Sequence, residues 1–114
     1  MKLVKHSISI QAIEKMAKQK FGNLVKAVVD IDKKIMVIDA ELHADQESLL
    51  IQSGSKQASI WGINLYPEKY ASPDFIEFDS MINLRPSQNN LGLNVEDKKI
   101  QDKIRKIVRK LISK

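Results

Sequence analysis

The sequence predicts an α+β domain: a mainly antiparallel sheet of about four to five strands in βαββαββα order, helices on one face, and a long C-terminal helix. Three observations lead there. Segments rich in β-branched residues, LVKAVVDI and IMVIDAEL, are separated by only a few residues, so they pair as a hairpin and leave no room for a crossover helix. Three other stretches carry apolar residues at helical spacing behind capping residues. The stretch from Phe75 to Arg85 alternates apolar and polar residues, as a sheet with one wet face requires.

Taken in order, Leu3 to Lys5 forms a short edge strand. Ser9 caps a helix with Ile10, Ile13, Met16, Ala17 and Phe21 on one side, stopped by Gly22. The hairpin of residues 24–31 and 35–42 follows, turning at Asp32-Lys33-Lys34 without a glycine. Asp45 is the expected N-cap of a short helix from Gln46 to Ser53, closed by Gly54. WGINLYP reads as a strand with Trp61, Ile63 and Leu65 on one face, and Pro67 to Pro73 as a turn-rich loop. The alternating strand of residues 75–85 ends at Pro86, which has no N–H to donate. After the polar loop SQNNLGLN, Asn94 caps the final helix. Its apolar stripe is Ile100, Ile104, Ile107, Val108 and Leu111, with Glu96 and Asp97 near the positive end of the helix dipole.

A chain of 114 residues is one domain, 1–114, and is long enough to bury a core without staples. It has no cysteine, which excludes disulfides, thiolate nucleophiles and cysteine-ligated zinc. MKLVKHSIS lacks the apolar run of a signal peptide, and no stretch reaches the ~18 apolar residues of a membrane span. A cytoplasmic protein without membrane contact is expected. The net charge of +5 sits at one end: residues 95–114 carry eight Lys or Arg against three acids, whereas residues 1–94 are balanced. The basic final helix is therefore the candidate contact for nucleic acid, and its meeting with the acidic 74–79 segment of another copy is the candidate route to a homodimer.

Two groups of residues carry candidate chemistry. In an extended Glu41-Leu42-His43-Ala44-Asp45 segment, alternate side chains point one way, so Glu41, His43 and Asp45 converge as metal ligands or as a carboxylate-assisted base. The capping role of Asp45 and a hydrogen-bonded structural histidine explain the same residues without chemistry. The second group is the odd-numbered row Glu77, Asp79, Asn83 and Arg85, joined by Asn64 and Tyr66 if WGINLYP pairs alongside. Such a row suits a polar ligand or acid–base work, against the plain reading of a solvated sheet face. Phe75 and Met81 interrupt it, which marks the edge as partly covered or grooved. Ser53-Gly54-Ser55-Lys56 matches Ser-x-x-Lys in letters, but Gly54 breaks the helical turn that would bring the lysine to the serine. No glycine-rich phosphate loop is present, so no cofactor is expected.

The segments FGNLVKAVVDI, ELHAD, GSKQASIWGINLYP and IEFDSMINLRPSQ, in this order over residues 8–112, resemble a family of small uncharacterised proteins of bacteria and archaea. The resemblance implies a shared domain and no activity. In that family a basic stretch follows the Arg-Pro-Ser-Gln segment; here Asn89 to Leu93 is uncharged, which argues against phosphate binding by this loop. The residues together favour a non-catalytic binding or protein-interaction module. The alternatives are an RNA-binding or RNA-cleaving protein using Tyr66, Glu77, Asp79 and Arg85, and a metal-dependent hydrolase using Glu41, His43 and Asp45.

Overall fold

The computed structural model describes all residues from Met1 to Lys114. Its chain order is β1 (Lys2–Val4), β2 (Ile8–Ser9), α1 (Ile10–Gln19), β3 (Val25–Asp30), β4 (Ile35–Ile38), α2 (His43–Gln52), β5 (Ile60–Leu65), β6 (Ile76–Glu77), α3 (Lys98–Leu111) and β7 (Ile112–Ser113). Five strands form one antiparallel sheet in the order β1-β4-β3-β5-β6, as the α+β reading anticipates. The two-residue strands β2 and β7 pair in parallel and tie the start of α1 to the end of α3. Strands this short show no periodicity, so the tie has no sequence signal.

The glycine-free hairpin forms through the Asp30 carboxylate. Asp30 Oδ1 accepts the backbone N–H groups of Asp32 and Lys33, both at 2.9 Å. Lys34 then takes the left-handed φ of 57° that a glycine would otherwise supply. Asp39 also adopts a left-handed φ, 67°, and this ends β4 earlier than the expected residue 42. Helix α1 keeps its Ser9 cap, which accepts the Ala12 N–H at 3.1 Å. It stops at Gln19, leaving Phe21 outside the helix and exposed. Helix α3 starts later than expected, at Lys98, because the Asp97 side chain and not that of Asn94 caps it.

The main core lies between one sheet face and the stripes of α1 and α3. Ile10, Ile13 and Ala17 meet Ile104, Ile107, Val108 and Leu111 over Val25, Ala27, Val29, Met36, Ile38, Trp61, Ile63 and Leu65. The expectation of all helices on one face needs correction. Leu50 of α2 packs with Val28, Val37 and Ile60, which project from the opposite face. The inner strands demand this: every residue of β5 is buried, so both faces need cover. No helix is long and apolar enough to cross a membrane.

The expected strand of residues 75–85 is also corrected. Only Ile76 and Glu77 pair with β5. Beyond them Ser80 caps a single 3₁₀ turn, Met81–Asn83, by accepting the Ile82 N–H, and the chain leaves the sheet. The missing side chain of Gly62 explains why the turn sits where it does: a Cβ there would lie 2.6 Å from Ser80 Cβ, so the turn rests directly on the bare backbone of β5. The edge of β5 is then closed by side chains. Asn83 Nδ2 donates to the Gly62 carbonyl at 2.9 Å while Asn83 Oδ1 accepts the Gly62 N–H at 2.8 Å. Arg85 donates through Nη2 to the Ile60 carbonyl and through Nη1 to that of Gln57 at 2.8 Å.

Candidate functional site

Residues 79–94 are held by an internal amide network. Asn90 Nδ2 donates to the carbonyls of Asn83 at 2.7 Å and Asn94 at 2.8 Å, and Asn90 Oδ1 accepts the Glu96 N–H at 2.9 Å. A further backbone bridge joins Arg85 and Asn90. The polar loop is thus a brace. Asn83 is fully buried, and Arg85 is 7% exposed with its guanidinium 4.6 Å from the centre of the Trp61 ring. Burial lowers the Arg85 pKa, opposed by the nearby Glu47 carboxylate at 3.8 Å. Neither Asn83 nor Arg85 belongs to a wet sheet face, because the period-2 premise fails once the chain leaves the sheet.

Helix α2 begins at His43, earlier than the expected Gln46, and Leu42 stands at its N-cap without a side-chain cap bond. His43 and Asp45 are therefore helical and point apart, and the alternation that would align them with Glu41 is absent. No three His, Asp or Glu side chains come together as a metal-ligating group. Glu41 and Asp45 are exposed, whereas His43 is 8% exposed. Its Nε2 lies 2.7 Å from the Ile63 carbonyl. A carbonyl only accepts, so Nε2 carries the proton and Nδ1 is left as an acceptor. Burial lowers the His43 pKa; the bond to Ile63 and Asp79 oppose the shift, and Lys26 adds to it.

His43 opens onto a cleft of about 290 Å³ between the start of α2, β5 and the Met81–Asn83 turn. Its polar lining includes Lys26, His43, Asn64 and Asp79; its apolar lining includes Leu42, Met81, Ile82 and Leu93. Lys26 and Asn64 reach one side because they are cross-strand partners, and Glu77 is opposite Asn64 on the other flank. Asn64 Nδ2 donates to Glu77 Oε1 at 2.9 Å and to the Asp79 carbonyl at 3.2 Å. With both partners acceptors, the amide orientation is determined. Asn64 Oδ1 is then left buried with no partner. The Tyr66 hydroxyl donates to the same Glu77 Oε1 at 3.0 Å; desolvation raises its pKa, and Glu77 raises it further.

Of the residues singled out from the sequence, the structure brings His43, Asn64 and Asp79 to one cleft, with Tyr66 and Glu77 beside it. It sets Glu41 outside the lining, and it commits Asn83 and Arg85 to the edge of β5. Lys26, Leu42 and Leu93 are lining residues that the sequence reading did not select. Lys26 had a signal, a charge set between the apolar Val25 and Ala27 within a strand; Leu42 and Leu93 had none. The rim is the more unusual part: Met81 is 73%, Leu42 56% and Leu93 38% exposed. Chemically, the neutral His43 and the exposed Asp79 carboxylate offer acceptors under an apolar rim, while the Asn64 oxygen stays enclosed.

No curated protein and no solved structure matches the chain significantly. One family model, described as a protein of unknown function (DUF5674), matches residues 2–111. The match spans all three helices and the whole five-stranded sheet, and the chain belongs to that family.

Proposed function

We propose that the protein is a non-catalytic binding module, and that the cleft between α2, β5 and the Met81–Asn83 turn receives a segment of a partner protein. The observation that carries this is Met81, largely exposed on a turn whose next residues are locked into the β5 edge. An exposed apolar side chain on a fixed support is a recognition feature in a way that one on a frayed loop is not. The floor specifies the other half of the partner. His43 Nδ1 is an acceptor with no partner in the protein, and the exposed Asp79 lines the same cleft, so a ligand N–H has acceptors to meet there. The partner segment accordingly presents an apolar side chain next to an amide or basic donor.

Catalysis is less well supported. Arg85, the cation on which an RNA-cleaving centre would depend, spends its donors on the carbonyls of Ile60, Gln57 and Ile82. The test is selection from a displayed random-peptide library against the folded protein, repeated with Met81→Asp. Peptides with an apolar residue beside Lys, Arg or an amide, losing binding to Met81→Asp and shifting the His43 ring signals in NMR titration, support the proposal. Failure to enrich any motif, or equal binding to Met81→Asp, defeats it.

A further inference from the structure

Helix α3 turns its apolar stripe into the core, and its basic residues therefore face outward. On one flank Lys103, Lys106 and Lys110 line a cleft of about 430 Å³ whose opposite wall is the β3–β4 hairpin, which contributes Lys34. The hairpin places Lys34 firmly, since Asp30 holds the turn and Lys34 itself sits at the left-handed position. The ion pairs of the protein are Lys20–Asp39, Arg85–Glu47 and Arg105–Asp102, so none of these four lysines has a carboxylate within 4.0 Å. Asp32 also lines the cleft, but its carboxylate accepts the Ser59 hydroxyl. The ammonium groups thus outnumber the carboxylate four to one.

Four like charges held in one cleft repel each other, and a ligand bearing several negative charges relieves that repulsion. At 1.5 Å rise per residue, Lys103 to Lys110 spans about 10 Å along the helix axis. Successive phosphates on one strand of a duplex advance ~3.4 Å along its axis, so this span faces several of them. No aromatic side chain lines the cleft, which leaves no platform for unstacked bases. A membrane surface fits less well, because binding there needs an amphipathic helix with its apolar face free, and that of α3 is buried.

We propose that the cleft between the β3–β4 hairpin and α3 binds the phosphate backbone of a nucleic-acid duplex through Lys34, Lys103, Lys106 and Lys110, without reading its bases. This site packs on the sheet face opposite α2 and is independent of the peptide-binding reading.

The experiment is fluorescence anisotropy with labelled duplex RNA and duplex DNA over a salt series. One triple variant, Lys103→Glu, Lys106→Glu and Lys110→Glu, is compared with another of identical net charge, Lys5→Glu, Lys15→Glu and Lys18→Glu. Circular dichroism confirms that both fold. The wild type is expected to bind duplexes of unrelated sequence with similar affinity, with log K falling against log salt at a slope of about −3.6. The α3 variant is expected to lose at least about tenfold in affinity at low salt, and the control to stay within about threefold of wild type. Equal losses in both variants, no binding at low salt, or preferential binding to phosphatidylserine vesicles at equal phosphate would overturn the proposal.

Discussion

Asn83 and Gly62 are joined as two strands would be, although only one of them is in a strand. The side-chain amide of Asn83 accepts the Gly62 N–H at 2.8 Å and donates to the Gly62 carbonyl at 2.9 Å, reproducing both bonds of an antiparallel pair. The same Nδ2 also reaches the Leu93 carbonyl at 3.1 Å, so one amide joins β5 to the amide-rich loop.

Asn83→Ala removes these partners and leaves a buried N–H and carbonyl unpaired. At about 1–3 kcal/mol for each such group, partly relieved by entering water, a loss of about 2–4 kcal/mol is expected in urea unfolding. Asn83→Asp keeps the acceptor and loses the donor when ionised. A buried carboxyl facing the Gly62 carbonyl is favoured in its protonated form, which raises its folded pKa. The stability of Asn83→Asp is therefore expected to be greatest below the usual aspartate range and to fall as pH rises. Equal stability of Asn83→Asp at acid and neutral pH would contradict this account of the edge.

Gly62 is a glycine for reasons of space. A Cβ at this position meets Ser80 Cβ and Oγ, each at 2.6 Å, and Ile82 Cγ1 at 3.1 Å. Gly62→Ala is expected to destabilise by about 1–3 kcal/mol or more, as overpacking does. Adding Ser80→Gly to it removes both close atoms and is expected to recover part of the loss. A double variant no more stable than Gly62→Ala would show that the strain lies elsewhere.

Arg85→Lys tests whether the guanidinium shape matters more than its charge. Lysine keeps the charge yet cannot span the carbonyls of Ile60, Gln57 and Ile82 while stacking on Trp61. A loss of about 2–4 kcal/mol is expected, since hydrogen bonds to charged groups contribute about 1.5–3 kcal/mol each and water recovers some of them. Near-wild-type stability of Arg85→Lys would make this contact dispensable.

The pH dependence of stability follows from His43. Its folded pKa lies below the usual histidine value because burial disfavours the imidazolium, with Lys26 adding to the effect. On acidification the unfolded chain takes up the proton first. Stability is therefore full above about 6.5, the unfolded value, and declines as pH falls from there towards the folded pKa. His43→Gln, which retains an N–H donor for Ile63, is expected to remove that part of the decline. Urea midpoints at several pH values for both proteins measure it; parallel profiles would count against the assignment.

Local pattern settled what local forces decide. The stripes of α1 and α3, the Ser9 cap, the hairpin of β3 and β4, and the concentration of basic charge on α3 are all visible in the order of residues. Spacing and capping act within a few positions, and no distant partner is required to read them. Strand 75–85 failed for the complementary reason. Alternation records which side chains are polar, and it cannot record that those of Asn83 and Arg85 bond to the backbone of a strand far back in the chain. The cleft was hidden in the same manner. Lys26, His43, Asn64, Asp79 and Leu93 meet only because α2 crosses the second face of the sheet and the Met81–Asn83 turn settles on Gly62. Which residues are apolar, basic or helical was written in the sequence; which of them share a surface was decided by long-range hydrogen bonds and by the need of a two-faced sheet for cover on both sides.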